Sequence, residues 1–423
     1  MDDRDTNKAL KVIESLRQGV PPQLGVELYS VGHEKLIEGT KRHHLSGIQD
    51  RGIIRFISGS WGAGKTHFFR LLRDIVFNAN CLVSNVELSV NDAPLNKFER
   101  VFYGIIRNVM TPSFYREESS GEAAPFGRVV QESLVYLGSG DREAHNVVGY
   151  EQFEKASQML MSDHGIDIDF KKMIQKYWET YLPEAPDPII QEQTRAEILQ
   201  WFSGEGSIGN YRKRFGINKM VSKDNAKLML QSLASFVRLS GYKGLLILFD
   251  EAEQSYSIMR KSALKDAQNN LLSLINNIES IPGLFLLYAT TPEFYSNPKY
   301  GIVIYGALAG RIGKPENRLP KALDTVWNLD AVEPTLEDYK AAAKKIRNVY
   351  TSAYPESLTK LTSEDKVEEF VEELHRIHPA LSAVRFWRVL VTALISHFDD
   401  SLEDDARTTD ELYDDVMERL RET

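Results

Sequence analysis

Eight consecutive residues, Gly59, Ser60, Trp61, Gly62, Ala63, Gly64, Lys65 and Thr66, follow the spacing G-x-x-x-x-G-K-[ST]. That spacing suits the holding of nucleotide phosphates. Glycines let the backbone curl until successive N–H groups point inward at phosphate oxygens, and a helix that follows adds its positive N-terminal end. Lys65 supplies a point charge to the β- and γ-phosphates, and the Thr66 hydroxyl is placed to ligate Mg²⁺. His67 follows directly and is counted with the binding loop. A glycine-rich structural turn is the competing reading, and the flanking elements weigh against it.

Two further groups fit phosphate chemistry. Asp250 and Glu251 close a uniformly apolar run, GLLILF, and open α/β sheets place their ligand chemistry at the carboxyl ends of such strands. Asp250 is expected to hold the magnesium shell and Glu251 to polarise the attacking water as general base. Two acids after an apolar strand also describe a solvated loop, and the upstream phosphate loop tips the balance. Thr290 and Thr291 end the run LFLLYATTP. A hydroxyl at the end of the strand beside the Asp250 strand can touch a γ-phosphate or orient a water. A pair of β-branched residues closing a strand is an equally simple account.

These residues need elements to hold them. Ile53 to Ser58 reads as a strand, because β-branched and aromatic residues crowd it and glycines follow at once. The chain then turns into a helix, THFFRLLRDIVF, and continues through the strand CLVSNVELSV to the helix LNKFERVFYGIIRNVM. Strand, helix, strand, helix is the order of a parallel sheet covered on both faces. A further helix follows Asp224 as a plausible N-cap, stopping at Gly241 before the GLLILF strand. Ahead of the first strand, Ala9, Leu10, Ile13 and Leu16 share one helical face, and a second helix starts at Glu34. The expected organisation is 1–112 for N-terminal helices and the first half of the core, 113–222 for a mainly helical insertion, 223–330 for the second half of the core, and 331–423 for a helical lid with an acidic tail.

Composition bounds the class. The chain has 423 residues, 42% hydrophobic and 26% charged, enough for a sizeable core. No apolar run approaches the roughly 18 to 20 residues of a membrane span, and the charged start MDDRDTNKAL is unlike a signal peptide, so a cytoplasmic protein is expected. The single cysteine, Cys81, excludes an internal disulfide and a cysteine zinc cluster. His43 and His44 lack a second pair of ligands at metal spacing and are expected at the surface. Trp201, Trp327 and Trp387 are expected as core or interface anchors. Net charge is −9, and Asp399 to Thr423 alone holds eleven acids against three arginines. Nothing forms the basic footprint of a protein gripping nucleic acid by charge. Tyr211, Arg212, Lys213 and Arg214 form a short basic cluster that could touch nucleic acid, or be a solvated loop.

The segments GSWGAGKTH, YKGLLILFDEAEQ, LYATTPEFY and YGALAGRIG resemble the bacterial BREX-type ATP-binding proteins, the BrxC/BrxD P-loop family of phage-defence operons. The wider clade is similar to the origin-recognition AAA+ proteins. The likeness extends over most of the chain, including the opening LRQGVPPQLGVELYSVGHEKLI. There Val31, Gly32, His33 and Glu34 stand where the clade has a V-G-R-E box near the adenine, with His33 in the place of Arg. The resemblance implies an AAA+ P-loop NTPase: a parallel central sheet flanked by helices, a large helical insertion and a C-terminal helical lid. It also implies an arginine finger at Arg311 and a lid arginine, sensor 2, at Arg385. From sequence alone each is an Arg on a helix, often solvated or salt-bridged.

About 185 positions separate Lys65 from Asp250, so the insertion is expected to carry a partner or self-association surface. Little chain follows the lid, and DNA reading by this chain alone is not expected. The function this implies is an ATP-hydrolysing AAA+ switch or motor component of a prokaryotic defence system, using ATP and Mg²⁺. Its partners would be further copies of itself or other proteins of a defence complex, with DNA reached through the assembly and no membrane. A slow-turnover signalling or scaffold NTPase and a DNA-loading ATPase of the origin-recognition kind are the alternatives.

Overall fold

The computed structural model describes residues 3–89, 91–113, 125–142, 149–183, 187–250, 256–361, 363–379, 385–403 and 407–421. They form two compact bodies, one of residues 39–60 and 75–328, the other of residues 1–38, 61–74 and 329–423.

The first body is built on a six-stranded sheet. Its strands are β1 (Ile53–Ser58), β2 (Leu82–Glu87), β3 (Val109–Met110), β4 (Leu245–Asp250), β5 (Leu284–Thr290) and β6 (Val326–Asn328), in the order β3-β2-β4-β5-β1-β6. All pairings are parallel except β2 with β3. β5 is buried at every position and β4 at all but its last, as expected for parallel strands with helices on both faces. Two strands escape the sequence pattern. The two-residue β3 continues directly from the helix Phe98–Asn108, and β6 has three residues with only Val326 and Trp327 apolar. Neither is long enough to show a period.

The segment 125–215 carries the helices Pro125–Ser139, Tyr150–Ser162, Ile168–Glu179, Pro188–Phe202 and Ile208–Phe215. Its core is continuous with that of the sheet. Phe202 takes Phe126, Phe170 and Trp201 edge-on at 4.8 to 4.9 Å between ring centres, and the Trp178 indole donates to the Val130 carbonyl at 2.8 Å. Tyr211 does not face solvent beside its basic neighbours. It is buried, with its hydroxyl donating to the Glu205 carbonyl at 3.0 Å, so the cluster offers cations without a stacking ring. Arg214 meanwhile pairs with Glu197 and donates to Thr194.

His44 also departs from expectation. It is buried, with Nε2 donating to the Ala322 carbonyl at 2.7 Å and its ring stacked on Trp327. Burial pushes its pKa down to about 4. His43 is exposed.

The second body is all-helical, comprising Asp3–Arg17, Leu336–Ala353, Glu364–Ile377, Phe386–Glu403 and Thr409–Arg421 around one core. The first of these brings Ala9, Val12, Ile13 and Leu16 onto one face and buries them. The acid-rich end is no loose tail. Leu412 and Val416 are fully buried, and Asp399 accepts from both Arg17 Nε and Nη2 at 2.8 Å and from the Tyr350 hydroxyl at 2.7 Å. Arg407 is held by Asp400 and Asp415, and Arg419 by Asp415. The carboxylates of Asp399, Asp400 and Asp415 are answered locally by arginines that the fold brings alongside.

Replacing Asp399 by Ala strands Arg17 and Tyr350 together and is expected to cost about 1–3 kcal/mol. Removing residues 399–423 uncovers the core and should abolish cooperative folding of this body. Urea denaturation of both variants against the parent checks this.

Candidate nucleotide site

The carboxyl edge of the sheet assembles part of the chemistry. β5 lies between β1, which feeds the loop Gly59 to Thr66, and β4, which ends in Asp250. The register sets Ser58 beside Thr290 and Asp250 beside Glu87. The loop's first residue is tied down here, because the Gly59 N–H donates to the Thr290 carbonyl at 3.1 Å.

The two threonines differ. Thr290 is fully buried, its hydroxyl donating to the Ile57 carbonyl at 2.7 Å with the Tyr295 hydroxyl 2.9 Å away. Its polar group serves the joint between β5 and β1. Thr291 is the first residue past the strand, at the N-terminus of the short helix Pro292–Ser296, and makes no capping bond with its side chain. Glu251 lies outside the described residues. Glu87 was not found in the sequence; it is an exposed carboxylate in register with Asp250. The signal was a strand ending in an acid, but only the pairing of β2 with β4 gives it meaning.

The rest of the loop belongs to the helical body. Gly62 and Gly64 have φ of 74° and 87°, values that an L side chain adopts only under strain. The helix Lys65–Asn78 begins immediately, and the Phe68 N–H closes its first bond onto Gly64 at 2.8 Å. Trp61 is 70% exposed, with the Lys65 ammonium 5.9 Å from its ring centre. Ser60 and Ala63 complete the turn. Thr66 is exposed at the start of the helix.

Two of the sequence-marked segments meet this helix start. His67 Nε2 and the Ser30 hydroxyl are 2.7 Å apart, and the Tyr29 hydroxyl is 3.4 Å from Nδ1. Val31 and Gly32 follow Ser30, with Gly32 at φ 84° and its N–H donating to Glu34 at 3.2 Å. His33 packs edge-on against Phe68, 5.2 Å between ring centres. His67 is thereby a tie between the helix and the Val31–Gly32 segment. Burial, helped by His33 and Arg70, pushes its pKa down to about 3.

Arg385 also arrives here. A Cβ built on Gly62 would lie 3.7 Å from Arg385 Cδ and 3.8 Å from its Nε, so the stem of this arginine lies over the apex of the loop. Arg385 Nη2 is 3.2 Å from Asp330.

A family model described as the BREX system ATP-binding protein BrxC/D matches residues 5–417. The chain belongs to the BrxC/D family. Comparison with curated proteins and with solved structures gave no match. Membership makes this BrxC/D chain an ATP-binding protein of a BREX system, and the mainly parallel α/β sheet is consistent with a P-loop NTPase. Among the described residues no helix is long and apolar enough to cross a membrane, and no three His, Cys, Asp or Glu side chains gather as a metal-holding group.

Arg311 belongs to the sheet-bearing body and is exposed near the end of the helix Gly306–Ile312. Its side chain has no hydrogen bond or ion pair among the described residues.

The His67 tie has a pH signature. The native state holds the imidazole neutral, while the unfolded chain takes up a proton near pH 6.5, so the unfolded state binds more protons between that value and about 3. Stability should fall as pH drops through this window, by at most about 1.4 kcal/mol per pH unit for one such group. Unfolding free energies measured from pH 7 to pH 4.5 should fall less steeply for His67→Gln than for the parent.

Proposed function

We propose that this chain is an ATP-hydrolysing AAA+ switch or motor component of its BREX system, changing its assembly or partner contacts with nucleotide state. The observation that carries the reading is the position of Arg385 over Gly62. A guanidinium against the apex of a phosphate loop is suited to meet the charge on a terminal phosphate, and a loop that served only as a structural turn has no use for one.

The roles then follow from the residue types. Backbone N–H groups from Gly59 to Thr66 and the Lys65 ammonium hold the phosphates, and Val31 and Gly32 border the base. Thr66 and Asp250 offer the hard oxygen donors that Mg²⁺ prefers, and the ion would offset phosphate charge. Glu251 takes a proton from water as the water oxygen bonds to the γ-phosphorus and the bond to the β–γ bridging oxygen breaks, leaving ADP and phosphate. Thr291, free of a capping bond, orients that water; Thr290 supports it through β1. Arg311, exposed and unpartnered among the described residues, reaches the γ-phosphate of a neighbouring copy.

Lys65→Ala should abolish ATP binding with the fold intact, and Glu251→Gln should bind ATP but turn it over at least about a hundredfold more slowly. Fast turnover by the parent excludes the slow scaffold alternative, and stimulation by DNA favours the DNA-loading one. Arg311→Ala should keep ATP affinity and lose about three to five powers of ten in hydrolysis. Mixed with Lys65→Ala protein, it should regain part of the activity, because one interface then pairs an intact loop with an intact arginine. A mixture that co-assembles and stays inactive removes Arg311 from the reaction.

A further inference from the structure

Arg385 directly precedes the helix Phe386–Glu403, and the chain fixes its backbone firmly. Tyr339 packs edge-on against Phe386 and Trp387 at 4.7 and 4.8 Å between ring centres, and His375 packs against Phe386 at 4.9 Å. Those rings hold the two residues that follow Arg385, and the Tyr339 phenol also feels the Arg385 charge. A long flexible side chain with a fixed root still has many rotamers, and only some bring the guanidinium to the loop.

Asp330 selects among them. It lies in the turn Leu329–Ala331, and its carboxylate is 3.2 Å from Arg385 Nη2, with the two side chains 27% and 48% exposed. A single-contact pair that exposed contributes little to stability, so its effect is on where the guanidinium sits. The location also carries an electrostatic penalty that the carboxylate offsets. A cation at the N-terminus of a long helix is disfavoured by the helix dipole, and without a counter-charge Arg385 gains by swinging away into water. One N–H of the guanidinium is engaged by Asp330, and the others remain for an anion on the loop.

We propose that Asp330 is the positioning residue for Arg385, holding its guanidinium over Gly62 so that it meets the terminal phosphate of ATP without reorganisation. This rests on the reading of Arg385 as a γ-phosphate contact. Because that contact is absent with ADP, Asp330 acts on the preference for ATP over ADP.

The test uses the full chain and equilibrium titration with ATP and with ADP, both with Mg²⁺. Variants are the near-isosteric Asp330→Asn, Arg385→Ala, the double variant, and Lys65→Ala as control, each checked for an unchanged melting transition. The expected result is that Asp330→Asn lowers the ratio of ATP to ADP affinity about three- to tenfold, that Arg385→Ala lowers it at least as much, and that the double variant matches Arg385→Ala. Full non-additivity of this kind is foreign to a merely structural aspartate. If Asp330→Asn keeps the parent's ratio while Arg385→Ala lowers it, the positioning role is overturned and the Arg385 reading stands. If the two losses add in the double variant, Asp330 acts independently of Arg385, and the proposal is again overturned. If Arg385→Ala leaves the ratio unchanged while Lys65→Ala abolishes binding, the Arg385 reading fails and takes the proposal with it.

Discussion

The proposed chemistry depends on the backbone from Gly59 to Thr66, whose curled course would turn N–H groups toward an anion. Such a loop has no hydrophobic interior of its own, and its conformation includes left-handed residues that only glycine adopts without strain. Gly62 and Gly64 supply that conformation, but glycine also loses the most entropy on ordering. The loop is therefore only as well defined as its two ends. At one end Gly59 is bonded to the carbonyl of Thr290, the last residue of β5, in a sheet whose central strands are buried along nearly their whole length. At the other, a helix begins at once and is held at its first turn by His67 and Phe68.

That anchoring explains a recurring use of polar groups. The Thr290 hydroxyl, suited by type to touch phosphate, is spent on the β1 backbone, and the His67 imidazole is spent on Ser30. Thr290 is fully buried and His67 partly so, and the hydrogen bonds of both fix neighbouring segments, so that leaving either unpaired would cost more than the bond contributes. Exposed polar groups come from elsewhere: Glu87 beside Asp250, and Arg385 from the far end of the chain.

Charge follows the same logic on a larger scale. The C-terminal acids give the chain its negative balance, yet Asp399, Asp400 and Asp415 among them pair with Arg17, Arg407 and Arg419. Asp399 is the clearest case, since a two-pronged arginine and a tyrosine converge on it from two other helices. A carboxylate with three donors at 2.7 to 2.8 Å is an organising centre of the helical body, and the apolar residues of Thr409–Arg421 bury the rest.

The sequence by itself determined the glycine-rich loop, the strand and helix around it, the acid-tipped and threonine-tipped strands, and the helical nature of residues 125–215. These are local facts: glycine spacing, runs of β-branched residues and helical periodicity are set by neighbours along the chain. Only the tertiary structure decided which of two adjacent threonines is occupied, that Glu87 stands beside Asp250, that His44 and Tyr211 are buried, and that the acidic end is packed. It also decided that Arg385, more than 300 residues from Gly62, lies over the loop with Asp330 at its side. Each of these is a contact between segments far apart in sequence, and burial or pairing of that kind leaves no trace in the composition or period of either segment alone. β3 and β6 were hidden for a related reason, since strands of two and three residues exist only because a longer strand is there to pair with them.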